Sequence, residues 1–232
     1  MNLPSFEPLA DDALLVRFGE VIDAAHNARA LEASRLLREQ NPSWLRDAVP
    51  AYASLAVFFD SGRIDDADPH AFVATQIRAT LRNQESVSTP AARIIDIPVC
   101  YEPEMGPDLV DAANELGIAT DELIQRHSSA SYTVAMIGFA PGFPYLLGLP
   151  DSLALPRLAT PRTRVPAGSV AIGGNQTGIY PRESPGGWRL LGRTPLALFD
   201  ADRAAPALLT PGDQVRFKRI DAAAFERWSR NP

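Results

Sequence analysis

Between Arg157 and Arg193 the chain carries six arginines (Arg157, Arg162, Arg164, Arg182, Arg189 and Arg193) and a single acid, Glu183. Six positive charges against one negative leave this stretch at +5, inside a protein whose formal net charge is −6. A guanidinium is a planar fork of N–H donors that matches the paired oxygens of a carboxylate or a phosphate. Arg157, Arg162 and Arg164 stand between prolines in "PRLATPRTRVPAGS", residues 156–169. Proline fixes φ, so forks hung from that backbone lose less entropy when an anion is bound.

The run "GGNQTGIYPRESPGGWRLLGRT", residues 173–194, adds glycines that let peptide N–H groups approach a ligand closely. Asn175 and Gln176 can read an amide or a carboxylate, and Tyr180 can orient it. The anion contacts expected from this pattern are Arg157, Arg162, Arg164, Arg189 and Arg193. Glu183 is either the ion-pair partner that orients these arginines or a general base. His127, just ahead of this region, is the other acid/base candidate or a structural histidine. Upstream, "GFAPGFPYLLGLP" (138–150) offers either a stiff apolar wall or a tight corner on the core. Aromatic residues on both sides of Pro144 raise its tendency toward a cis peptide bond.

Other chemistry is excluded. There is no G-x-x-x-x-G-K loop, no G-x-S-x-G elbow and no H-E-x-x-H pair. His26, His70, His127 and Cys100 have no metal-ligand spacing, so no metal site is expected. Lys218 is the one lysine, which leaves little room for Schiff-base or Ser–Lys mechanisms. The acidic net charge argues against a nucleic-acid or anionic-membrane partner. No apolar run reaches membrane-spanning length, the first residues do not read as a secretory signal, and one cysteine forms no internal disulfide. These features predict a cytoplasmic location.

Two textures position these residues. In the first, "ALLVRF" (13–18) and "SLAVFFD" (54–60) read as strands and 21–40 as a helix ended by "NP". Asp68-Pro69 opens a second helix that places Val73, Ile77 and Leu81 on one face. The polar segment "NQESVSTPAAR" (83–93) reads as a linker, dividing the chain into 1–88 and 89–232. After it come a strand at 93–100, a helix at 106–117 closed by Gly117, and a second at 120–127 with Thr120 as its N-cap. From Ser131 onward, short apolar runs ("YTVAMIGF", "SVAIGG", "GWRLLG", "PLALFD", "QVRFKRI") alternate with turn residues. That pattern predicts a β-barrel or sandwich, followed by a last helix in "DAAAFERW". The fold class is therefore α+β.

The segments "GFAPGFPYLLGLP", "PRLATPRTRVPAGSVAIGGNQTGIYPRESPGGWRLLGRTP" and "LLTPGDQVRF" resemble the family of KipI and the 5-oxoprolinase B subunit, also labelled allophanate hydrolase subunit 1. The resemblance covers 93–220 strongly and 9–92 more loosely. It implies an N-terminal α+β domain and a C-terminal cyclophilin-like β-barrel. It also implies a part in a cytoplasmic, ATP-dependent 5-oxoprolinase that opens 5-oxo-L-proline to L-glutamate. The other parts of that hetero-oligomer would be a homologous C subunit, with an A subunit besides. ATP is then expected at the interface with the C subunit. Other branches imply inhibition of a sensor histidine kinase, or a carboxyltransferase/allophanate hydrolase-type role in urea degradation. The sequence has no biotinyl-lysine motif, so covalent biotin is not expected. One position departs from the family's pattern: Arg182 stands where an apolar residue is usual.

Overall fold

The computed structural model describes residues 3–82 and 92–230. The chain divides into two compact units, Met1–Ala91 and Ala92–Pro232. Most of the expected linker, 83–91, lies outside the described residues.

The first unit is a four-stranded antiparallel sheet with two helices. Strands β1 (Ser5–Ala10), β2 (Ala13–Arg17), β3 (Leu45–Pro50) and β4 (Ser54–Phe59) lie in the order β1-β2-β4-β3. The helices are α1 (Ala24–Gln40) and α2 (Pro69–Arg82). Asp23 caps α1 by accepting from His26 N at 2.7 Å, and Asp68 caps α2 by accepting from Ala71 N at 3.0 Å. Asn41 ends α1 in the left-handed region at φ 41, ahead of Pro42. Val73 and Ile77 are buried with Ala30, Leu37, Leu14, Val16, Leu55 and Val57 in one core, and Leu81 packs at its margin. The strands the sequence does not announce, β1 and β3, are the two edges of the sheet.

The second unit is built on a closed barrel. Its strands are β5 (Ile94–Cys100), β6 (Tyr132–Ile137), β7 (Pro144–Leu147), β9 (Ser169–Gly173), β10 (Gln176–Ile179), β12 (Arg189–Arg193) and β13 (Gln214–Ile220). They run β10-β7-β6-β13-β5-β12-β9 around the barrel, and β9 pairs back onto β10. Two further strands, β8 (Arg162–Val165) and β11 (Ser184–Gly186), form a separate two-stranded ribbon. Helices α3 (Leu109–Leu116), α4 (Thr120–Ser129) and α5 (Ala222–Arg230) complete the unit. Alternate residues of the barrel strands, among them Ile97, Val99, Val134, Ile172, Val215 and Phe217, point into a core that α3 and α4 join through Leu109, Ala112, Leu123 and Ile124.

Three local expectations are corrected. Gly117 closes α3 in the left-handed region as expected, but the N-cap of α4 is Ala119, and Thr120 is the first helical residue. "PLALFD" forms no strand: it runs irregularly, with Leu198 buried and one bridge from Phe199 to Ala207. Pro144 follows a trans bond, because no described peptide bond is cis. The chain turns at Phe139 instead, whose φ is 65.

Candidate functional site

The ribbon β8–β11 sorts the arginine-rich stretch by face. Arg162 pairs with Gly186 and Val165 with Ser184, with an irregularity between the two pairs. Residues opposite one another in a ladder share a face. Val165 is fully buried, so the face it shares with Ser184 and Gly186 is the inward one. Gly186 agrees with this, because a Cβ built there would stand 2.3 Å from the Tyr180 hydroxyl. Arg164 and Glu183 are exposed and bind each other through two hydrogen bonds of 3.0 and 2.9 Å. That hydrogen bonding and the guanidinium charge hold the Glu183 carboxyl below its ordinary range. Its place is that of an ion-pair partner, and its lowered pKa makes it a weaker base.

Under the ribbon lies an aromatic floor. Phe143, Tyr180 and Trp188 are buried together, with Tyr145 packed against them. Phe143 meets Tyr180 at 5.2 Å and Trp188 at 5.8 Å, both edge to face. Gly173 makes room for this floor: a Cβ there would stand 2.6 Å from the Trp188 indole. At Gly173 and Gly186 packing alone accounts for the glycine. Burial pushes the Tyr180 hydroxyl pKa up, opposed by the Trp188 backbone N–H and by Arg157 and Arg162 nearby. Burial also raises that of Tyr145, again opposed by Arg157.

Phe139 forms the rim of the floor. It contacts Phe143 at 5.4 Å and Tyr180 at 6.3 Å, yet remains 62 % exposed. Its φ of 65 lies within a three-residue turn closed by Ala140 N donating to Gly138 O at 2.7 Å. Such a turn around a non-glycine residue is strained, at a cost on the order of 1–3 kcal/mol. Strained residues of this kind cluster at functional sites, which makes the exposed Phe139 ring a candidate contact.

Two arginines reach this floor. The Arg157 guanidinium lies over the Trp188 ring, 5.8 Å from its centroid. The backbone on either side of Arg157 is braced: Leu155 and Gly174 exchange hydrogen bonds of 3.2 and 2.7 Å, and Leu158 N donates to Gly187 O at 2.7 Å. No carboxylate among the described residues pairs with Arg157. Arg162 Nη2 donates to Asp108 Oδ1 at 2.5 Å, while its Nη1 is screened from water and has no partner. Ser184 Oγ, on the same inward face of the ribbon, is likewise without a partner. Each buried unpaired donor costs about 1–3 kcal/mol, more when it is charged.

The remaining candidates lie elsewhere or are closed by protein acceptors. Arg189 donates to Glu115 at 2.7 Å and to Pro156 O at 3.3 Å. Arg193, at the far end of β12, donates to Ala167 O at 2.7 Å and lies over Phe225. Asn175 forms the turn of the β9–β10 hairpin and Gln176 opens β10 opposite Gly173; neither side chain is hydrogen-bonded among the described residues. His127 is fully buried in the barrel, stacked 4.8 Å from Phe217. Thr177 Oγ1 spends its hydrogen on Ala171 O at 2.9 Å and so accepts from His127 Nε2 at 3.3 Å. His127 Nδ1 therefore accepts from the Tyr101 hydroxyl at 2.9 Å. Burial lowers the His127 pKa to about 3, which keeps it neutral at physiological pH. The structure gives this histidine a structural place, not an acid/base one.

The structure thus brings together Arg157, Arg162 and Tyr180 from the expected set, and adds Phe139, Phe143, Trp188, Ser184 and Asp108. Trp188 and Asp108 carry no signal in the sequence, since the first lies among glycines and the second begins an ordinary helix. No helix among the described residues is long and apolar enough to cross a membrane.

This fold is found in a known class of proteins. Residues 4–209 match the family described as carboxyltransferase domain, subdomain C and D. The chain is 41 % identical to the B subunit of Bacillus subtilis 5-oxoprolinase over 96 % of its own length and 95 % of that protein. It is 58 % identical to the B subunit of Haemophilus influenzae 5-oxoprolinase over 56 % of this chain and 62 % of that protein. The chain therefore belongs, within that class, to the family of KipI and the 5-oxoprolinase B subunit. The crystal structure of TTHA0988 is 38 % identical with a TM-score of 0.78, covering 90 % of this chain but only 40 % of the longer one. The K. lactis urea amidolyase shares the fold, with a TM-score of 0.74 at 22 % identity over 97 % of this chain and 15 % of that one.

Proposed function

We propose that this chain is the B subunit of an ATP-dependent 5-oxoprolinase, a non-autonomous part of an amide (lactam) hydrolase that opens 5-oxo-L-proline to L-glutamate. The observation that carries this reading is the match to the Bacillus subtilis 5-oxoprolinase chain along nearly the whole of both sequences. Features of the surface support this reading. 5-Oxoproline is a small ring with one carboxylate and one lactam. Phe139 and the floor beneath it offer an apolar face, and Arg157 and Arg162 offer fixed cations beside it. Held there, the carboxylate orients the lactam toward the partner chain.

ATP is a second substrate in this reading. Activation of the lactam oxygen by phosphorylation needs cations for the phosphoryl oxygens. The chain has no G-x-x-x-x-G-K loop. ATP is therefore assigned to the interface with a homologous C subunit, while an A subunit makes up the rest of the complex in the cytoplasm.

The test is to co-express the chain with its A and C partners and to measure glutamate release that requires both ATP and 5-oxo-L-proline. Turnover is expected from the complex and none from the isolated chain. Turnover by the isolated chain would contradict the non-autonomous role, and a silent complex would overturn the reading.

A further inference from the structure

Asp108 lies 54 positions before Arg162 in the sequence and is 6 % exposed. It is the N-cap residue of α3, where an aspartate ordinarily accepts from the first helical N–H groups, yet its side chain makes no cap hydrogen bond. Both carboxylate oxygens are directed elsewhere. Oδ1 accepts from Arg162 Nη2 at 2.5 Å, and Oδ2 accepts from Leu190 N at 2.7 Å. The backbone of the same residue donates back to Leu190 O at 3.1 Å. Asp108 is thus fixed to β12 by two bonds and holds one edge of Arg162 with the oxygen that remains.

A guanidinium held at one nitrogen by a buried carboxylate has its swing restricted by that charge-assisted bond. Arg162 keeps Nη1 buried and unpaired while its side chain as a whole is 31 % exposed, so it is neither a closed structural pair nor a freely solvated cation. Arg189, by contrast, has its Nη2 and Nε both engaged and is 15 % exposed. The unpaired Ser184 Oγ lies on the same inward face of the ribbon as Arg162. The helix forgoes a cap, and what it gains is an aimed fork.

We infer that Asp108 is a positioning residue: it orients Arg162 so that the guanidinium binds the carboxylate of the lactam substrate. This rests on the 5-oxoprolinase reading and goes beyond it by assigning a role to a residue that touches no substrate. The charge on Asp108 is the active feature. In Asp108→Asn the amide oxygen still accepts from Leu190 N, while the amide N–H₂ turned toward Arg162 can no longer grip it.

The experiment is a double-mutant cycle in the assembled complex, following ATP-dependent glutamate release with wild type, Asp108→Asn, Arg162→Ala and the double variant. Asp108→Asn is expected to raise KM for 5-oxo-L-proline about tenfold while kcat changes less than about twofold, since the lost interaction is one of substrate binding. In the Arg162→Ala background the same substitution is expected to leave KM unchanged. An unaltered KM in Asp108→Asn overturns the proposal, as does a KM effect that persists without Arg162. If Asp108→Asn does not assemble, Arg162→Lys takes its place. It keeps the charge but loses the fork, and a KM equal to wild type overturns the proposal equally. Absence of turnover in the wild-type complex removes the functional reading and this inference with it; turnover with an unaltered variant KM removes only the inference.

Discussion

Around His127, inside the barrel, each buried hydrogen-bonding group has a partner: Tyr101 to His127, His127 to Thr177, Thr177 to Ala171 O, and Tyr132 to His127 O. Around Trp188, beneath the ribbon, the opposite holds. Arg162 Nη1 and Ser184 Oγ are unpaired, Arg157 has no carboxylate, and Phe139 is strained and exposed. Both regions belong to one unit and both combine aromatic rings with polar groups. Native interiors pair their buried polar groups almost without exception, so these unpaired groups make the region the candidate place for a ligand. A histidine draws attention in a sequence as a chemical residue, yet here it is the sealed one.

The comparison breaks most visibly at His127. Replacing it by alanine leaves a cavity and strips the Tyr101 and Thr177 hydroxyls of a partner, so a loss of about 3–5 kcal/mol in unfolding free energy is expected from denaturant titration. Arg157→Ala is expected to cost only about 0.5–1 kcal/mol, the scale of its contact with the Trp188 ring. These two variants separate the regions: one loses the fold, the other only binding.

A finer difference appears in pH dependence. His127 ionises in the unfolded chain near its ordinary value of 6.5 and in the folded one at about 3. Below 6.5 the unfolded state binds one more proton, so His127 withdraws stability as pH falls from that value toward 3, by about 1.4 kcal/mol per pH unit. His127→Gln is expected to be less stable at neutral pH but to have a slope shallower by that amount between about pH 6 and 4, as read from denaturant midpoints. An identical slope in the two proteins would contradict the burial of a neutral imidazole. The smallest effect is expected at Glu183→Gln, which disturbs a solvent-exposed pair with Arg164. Complex activity should stay within about twofold of wild type, whereas a general base at this position would cost about a hundredfold or more.

The fold was legible where burial dictates sequence. The central strands β2 and β4 read directly from apolar runs, while β1 and β3 carry Pro8 and Pro50 and, as edges, bury too few side chains to show a pattern. The barrel showed through its short apolar runs, although strand pairing across a hundred residues, such as β5 beside β13, has no local signal. At the site, the density of arginines was legible but their fates were not. Arg157 and Arg193 look alike in sequence; only the fold places one over Trp188 and the other against Ala167 O. The same holds for Gly173 and Gly186, whose need for glycine comes from making room for Trp188 and Tyr180.

The most direct test of the claim that the unpaired region holds the substrate is KM for 5-oxo-L-proline in the assembled complex, for Arg157→Ala beside Arg164→Ala. A rise of about tenfold or more is expected for Arg157→Ala, the scale of one lost charged contact, with Arg164→Ala close to wild type. Equal KM values in the two variants would contradict it.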